Sequence, residues 1–394
     1  MPNPATPRTS CYLRLLVVVA LAPLMLSQAA GQNAVDATTP PGQSPGAPAG
    51  SYPLSGFDNV NLFNGHLNFR LPLVKVNGRG GVSFASALPI EQRWTVDHDS
   101  AGPYHFPNYN WWTGLRPGYG PGVLQGRQMS EGCPEGPGNT EGTTRLTFTA
   151  SDGTEYELRD QIYGGQRASS FCNPSDPQAP GTSRGTTFVT PDGSSATFIS
   201  DSTIYDHNYT PSGPKIITPS GFLMLRDGTR YRIDTGIVTW IRDRNGNKIS
   251  FTYTGSYMDQ RVTSATDSLN RQITFQYNFS DPTYGVCDRI IFKGFGGTQR
   301  IIRIVRASLS NALIAGESLA TYQSLFPNLS GSSSTNHNPD VVSFVWLPDG
   351  RNYQFRYNRY GELCRVDLPT GGRFEYSWTQ FSQGMASNLR SIGA

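Results

Sequence analysis

A chain of 394 residues with 43 Gly, 29 Pro, 11% aromatic and only 15% charged residues favours many short strands joined by turns over a helical fold. The formal charge is +3; residues 1–31 hold two arginines and no acid, which leaves 30 basic and 29 acidic groups beyond them. That near balance argues against a nucleic-acid binder or a polybasic membrane-surface protein.

At the amino terminus, Arg8 and Arg14 precede an apolar run from Leu15 to Leu26, and small residues follow from Ser27 to Gly31. The order charged, apolar, small is that of a secretory signal peptide over residues 1–31. The run is shorter than the ~20 apolar residues of a spanning helix. The mature chain is therefore expected to be exported, secreted or at the cell surface, with no membrane span. Residues 32–51, rich in Pro, Gly, Ala and Thr, read as a flexible leader. Beyond Cys11 the cysteines are Cys133, Cys172, Cys287 and Cys364. An even count in an oxidising compartment implies two disulfides with three connectivities. The reading favours Cys133–Cys172 and Cys287–Cys364 over four unpaired thiols.

Residues 52–140 form a β lead-in with aromatic-rich loops. Its strongest signal is the Asn64-Gly65 turn between two alternating arms. From Asp97 to Cys133, aromatic residues are scattered among Pro and Gly without a steady period, which reads as irregular loop. From residue 141 to 394 the chain is a series of hairpins. The turns fall at Asp152-Gly153, Asp192-Gly193, Asp227-Gly228, Asn245-Gly246, Leu269-Asn270, Asp349-Gly350 and Thr370 to Gly372. Between Ala307 and Pro339 lies an irregular insert with one helix expected around Ser318 to Phe326, ended by Pro327.

The clearest unit runs from Pro348 to Val366. Tyr353, Phe355 and Tyr357 alternate with polar residues, as on a strand with one buried face. A second turn spans Asn358 to Gly361, and Leu363 opens the next strand. The order Gly350-x-x-Tyr353-x-Phe355-x-Tyr357-Asn358-x-x-Gly361-x-Leu363 resembles the YD repeat of the RHS (rearrangement hot spot) family, usually G-x-x-x-x-Y-x-Y-D-x-x-G-R-L. Here Asn358 stands for the Asp and Glu362 for the Arg. The resemblance covers residues 52–394 and is strongest after Phe222. It implies an all-β fold: antiparallel hairpins joined edge to edge in a long curling sheet, part of a shell enclosing a toxic domain or a partner. About seven hairpins are too few to close such a shell. The chain is therefore expected to be its opening section, with further repeat segments or an effector domain as protein partner.

Reactive groups are sparse. No H-E-x-x-H helix or P-loop is present, so a non-enzymatic chain without cofactor is expected. Asp97-His98-Asp99 with His105 matches no metal-ligand spacing and reads as an exposed acidic loop. Asp243 to Asn247 echoes half a calcium loop but lacks its closing Glu, so a hairpin turn is expected. Asp281-Pro282-Thr283-Tyr284-Gly285 departs by one residue from the D-P-x-G segment linked to self-cleavage in full-length RHS toxins, and no such activity is assigned. The remaining alternative is a secreted carbohydrate-binding or adhesive protein, with Trp111 and Trp112 stacking on sugars.

Overall fold

The computed structural model describes residues 51–394, except 54–56, 62–66, 79, 91, 100–101, 110–118, 133–138, 152–153, 167–182, 206, 209–216, 256–259, 328–333, 381–389 and 393–394. Residues 1–31, read above as a signal peptide, the residues up to Gly50 read as a leader, Trp111, Trp112, Cys133 and Cys172 lie outside the described residues. Ser51 to Ala394 form one unit, and its class is all-β.

Strands β1 (Ser51–Pro53), β2 (Asp58–Asn61), β3 (Leu67–Asn77) and β4 (Ser83–Ile90) pair in chain order as an antiparallel sheet. Val60 lies opposite Leu67, so β2 and β3 are the arms expected around Asn64-Gly65. β5 (Gln92–Asp99) and β6 (Gly102–Tyr109) form a separate hairpin, where the sequence reading expects loop from Asp97. Both are edges of a two-stranded ribbon, and an edge strand tolerates Pro103 and Pro107, which break the sequence pattern.

The ring comes next. It is built from β7 (Gly122–Gly132), β8 (Asn139–Ala150), β9 (Glu155–Asp160), β10 (Ser183–Val189), β11 (Thr197–Tyr205), β13 (Gly221–Met224), β14 (Arg230–Asp234) and β15 (Ile237–Arg242); the two-residue β12 (His207–Asn208) pairs with β8. Each ring strand pairs antiparallel with the next, and the circuit closes where Ile237 on β15 bridges Val123 on β7. Eight strands enclose an interior just wide enough for side chains to fill. Leu124, Leu146, Phe148, Leu158, Phe188 and Phe198 are all buried. This closed antiparallel barrel is a feature that the sequence reading, which expects one long curling sheet, does not contain.

Closure depends on a turn that the sequence reading passes over. Thr235 (φ 48°) and Gly236 (φ 85°) both take left-handed backbone, the two-residue turn whose twist matches flanking strands. The Gly236 carbonyl accepts from the Leu124 N–H at 2.7 Å. A Cβ at Gly236 would stand 2.7 Å from the Leu124 carbonyl oxygen.

The ladder then continues. Trp240 to Arg242 on β15 pair with β16 (Lys248–Thr254). After it come β17 (Arg261–Asp267), β18 (Gln272–Asp281), β19 (Gly285–Lys293), β20 (Gln299–Ser308), β21 (Asp340–Trp346), β22 (Asn352–Tyr357), β23 (Leu363–Asp367) and β24 (Arg373–Glu375), each paired with the one before. β25 (Trp378–Gln380) and β26 (Arg390–Ile392) pair with each other. The insert before β21 holds two four-residue helices, α1 (Leu309–Ala312) and α2 (Tyr322–Leu325). The helix expected over 318–326 is therefore a single turn, capped by Thr321 and stopped before Pro327.

The four-stranded sheet lies against the apolar face of this ladder. Phe84 meets Phe251 on β16 at 5.0 Å, Phe69 meets Phe355 on β22 at 5.8 Å, and Phe57 meets Tyr353 and Phe374. One apolar core results, shared by the barrel, the ladder and the covering sheet.

Candidate functional site

The recurring object in this structure is a hairpin, and two local devices build it. The first is the turn. Beginning at Leu225, Asp243, Asp267, Gly294, Leu347, Asn358 and Leu368, the first residue donates its N–H to the carbonyl four residues on. The N–H three residues on donates back to the first carbonyl. That third residue has positive φ each time: Gly228, Gly246, Asn270, Gly297, Gly350, Gly361 and Gly371. This is a three-residue loop with a glycine bulge. Five of the seven hairpin turns expected from sequence are among these. At Asp192-Gly193 the hairpin forms, with Thr187 opposite Ile199, but the positive φ falls on Ser195. The turn at residues 152–153 lies outside the described residues. The β19–β20 turn was the hardest to foresee, because its Gly294-Phe295-Gly296-Gly297 carries no Asp-Gly or Asn-Gly pair.

The second device is an aromatic latch. Tyr253 Oη donates to the Val238 carbonyl at 2.5 Å, Tyr277 to Val262 at 2.8 Å and Tyr357 to Val342 at 2.7 Å. Trp378 Nε1 donates to the Leu363 carbonyl at 2.8 Å. The separation is 15 residues in all four cases. Tyr253 and Tyr357 lie at the end of a hairpin's second arm, Tyr277 within one and Trp378 just beyond one on β25, and each reaches back to the start of the first arm. Burial drives the phenol of Tyr253, Tyr277 and Tyr357 well above its ordinary range, so these hydroxyls stay protonated and donate.

The repeat-motif residues therefore have assignable roles. Gly350 and Gly361 supply the bulges. Phe355 and Tyr357 are buried and Tyr353 is half-buried on one face of β22, with Leu363 buried on β23. Asn358 Oδ1 accepts from the N–H groups of Tyr360 (2.9 Å) and Glu362 (3.1 Å). Its Nδ2 donates to Glu362 Oε2 at 2.6 Å, and both side chains are buried. The equivalent turn at Asp267 shows the charged version: Oδ1 accepts from Leu269 and Arg271, and the Arg271 guanidinium pairs with Oδ2 at 2.6 Å. Asn358 and Glu362 thus replace an acid–base pair by an amide–acid pair in the same geometry. Asp243 fills the same place with Asn247 at 2.8 Å and also takes the Gly81 N–H at 3.1 Å, tying the covering sheet to the ladder. That is a hairpin turn, not a calcium loop.

Ionisable groups buried elsewhere are engaged in pairs. Asp288 Oδ2 accepts from Tyr119 Oη at 3.0 Å and from Arg306 at 2.5 Å, and its Oδ1 accepts from the Asn278 N–H at 3.0 Å. Burial, then the Asp288 charge, pushes the Tyr119 phenol well up. Asp281 pairs with Arg303 at 2.9 Å, and that hydrogen bond holds its carboxyl below the ordinary range. His337 is fully buried against Tyr322, its Nδ1 3.3 Å from the phenol oxygen, and burial lowers its pKa to about 4. Among the described residues no cluster of three or more His, Cys, Asp or Glu has metal-binding geometry. His98 lies opposite Pro103, and His105 opposite Val96, in the β5–β6 hairpin.

The expected Cys287–Cys364 disulfide is not formed. Cys287 is a buried free thiol whose pKa burial raises. Cys364 is buried on β23, its Sγ 3.5 Å from the Glu362 carbonyl. Four steps of the ladder separate their strands, about 19 Å at the usual spacing, where a bridge needs Cα atoms within about 7 Å. No described helix is long and apolar enough to cross a membrane. Comparison with protein-family models and with curated proteins gives no match.

Proposed function

We propose that the chain is an exported, non-enzymatic scaffold of the RHS type, whose hairpin ladder forms part of a β wall around a protein partner. The observation that carries this reading is the ring-to-carbonyl latch repeated at 15 residues, together with the shared bulged turn. Such a unit extends a sheet by repetition and uses its polar groups to hold its own shape. The buried Asp288, Asp281 and Glu157 face arginines rather than an open cleft, which suits a wall better than a reaction site.

The test is co-expression of the full chain with the polypeptide encoded immediately downstream. Co-elution in fixed stoichiometry, with that polypeptide shielded from protease, is expected. A chain that leaves the downstream polypeptide unbound and fully cleavable refutes the reading.

A further inference from the structure

β2 is much shorter than the strand it pairs with. It covers β3 only across Leu67 to Phe69, and the Arg70 N–H still reaches the Phe57 carbonyl at 2.7 Å. From Leu71 to Asn77 no described strand lies on that side, while β4 pairs with β3 as far as Asn77 on the other. Among the described residues no strand pairs with this edge over seven residues, about 24 Å, of which Pro72 supplies no N–H.

That stretch borders a groove of about 770 Å³, with Val74 to Asn77 on one side and the β17–β18 turn, β18, β19 and the β19–β20 turn on the other. This volume lies in the range of small-ligand and peptide-side-chain sites. Among its described lining residues, Lys75, Arg271 and Lys293 are cationic, and none is acidic. Arg271 is held in place, with Nε on Asp267 at 2.7 Å and Nη2 on the Asn77 carbonyl at 2.5 Å. A side chain from the ladder therefore already reaches an acceptor at the end of β3. Leu269 is half exposed in the β17–β18 turn. Phe295 is wholly exposed in the β19–β20 turn, between glycines that line the groove.

We propose that this groove takes an extended acidic peptide segment, which adds to β3 as a strand. A strand edge presents outward backbone groups at every second residue, about 7 Å apart, and another peptide backbone matches that spacing, whereas a sugar chain carries no matching row of donors and acceptors. Lys75 by itself would only guard the edge against a second copy. Arg271, in the β17–β18 turn, is paired with Asp267, but Lys293 at the end of the facing β19 adds to Lys75 a second positive charge that an edge guard does not need, and this selects an acidic occupant. Phe295 and Leu269 offer apolar contact to alternate side chains of the added strand. The inference stands apart from the wall reading, because it rests on the covering sheet and the groove rather than on the repeat.

The probe is an acetylated and amidated octapeptide of alternating Glu and Val, titrated into the full chain by fluorescence polarisation, with hydrogen exchange followed in parallel. Saturable binding is expected, weakened at least tenfold by the exposed double substitution Lys75→Glu/Lys293→Glu and at least threefold by Phe295→Ala. Exchange should slow at Leu71 to Asn77. Methylating alternate backbone nitrogens of the peptide should cost at least tenfold. Circular dichroism identical to the parent shows that the variants fold. Equal binding of a Lys-Val octapeptide, equal binding of the methylated peptide, or unchanged exchange at Leu71 to Asn77 overturns the proposal. So does binding of tetragalacturonate in preference to the Glu-Val peptide.

Discussion

Substituting Asn358→Asp tests the buried amide–acid pair in the turn that begins at Asn358. The change keeps shape and keeps the Oδ1 that accepts from Tyr360 and Glu362, but it turns the 2.6 Å donor to Glu362 into a second carboxylate oxygen. Two unit charges at that distance repel by about 6 kcal/mol at an effective dielectric of about 20. Protonating one carboxyl at pH 7 costs about 4 kcal/mol from an ordinary pKa near 4.3. Protonation is the cheaper route, so the pair takes up a proton on folding. The penalty is then capped at about 4 kcal/mol, and the new carboxyl–carboxylate hydrogen bond returns about 1–2 kcal/mol of it. A loss of about 2–3 kcal/mol at pH 7 is expected. The folded state binds the extra proton, so its raised pKa stabilises below the unfolded pKa and is lost as pH rises. Relative to the parent, the variant should lose about 1.4 kcal/mol per pH unit above about pH 4.3, and at pH 4 it should exceed the parent's stability by about 1–2 kcal/mol, the return of the new hydrogen bond. Urea unfolding of both proteins at pH 4, 5, 6 and 7 measures it. A gap below 0.5 kcal/mol at pH 7, or one that does not change with pH, would refute the reasoning.

Tyr357→Phe strands the buried Val342 carbonyl and should cost about 1–3 kcal/mol, with Tyr253→Phe costing less because that ring is only half-buried. The two losses should add in urea melts, since six ladder steps separate the sites. Gly236→Ala meets both the positive φ and the Leu124 carbonyl; a loss of about 2–4 kcal/mol is expected, with faster amide exchange along β7. Asp288→Asn leaves Arg306 buried without its carboxylate and should cost about 3–5 kcal/mol by denaturant titration. The depressed pKa of His337 implies stability that is complete above pH 6.5 and lost as pH falls toward 4, by about 3 kcal/mol in all. Comparing His337→Gln with the parent across that window should show the parent's slope reduced in the variant.

Much of the repeat was legible in the amino-acid order. Alternation at Tyr353, Phe355 and Tyr357 placed one face of β22 inward, because strand geometry sends every second side chain to the same side. Glycine or asparagine at the bulge marked most of the turns, because few other residues accept left-handed backbone. The buried partner of Asn358 was not visible. Nothing in the order of residues pairs Glu362 with the Asn358 amide; that pairing emerges from distances.

Hairpins are local, so the sequence by itself determined the all-β class and most of the ladder's strands and turns: each arm finds its partner within a few residues of the turn. Ring closure at Ile237 and Val123, the covering sheet over the ladder, the separation of Cys287 from Cys364, and the uncovered edge of β3 were decided only in three dimensions. These depend on twist accumulated over many strands and on which distant apolar faces meet. Neither quantity is written in any short window of residues.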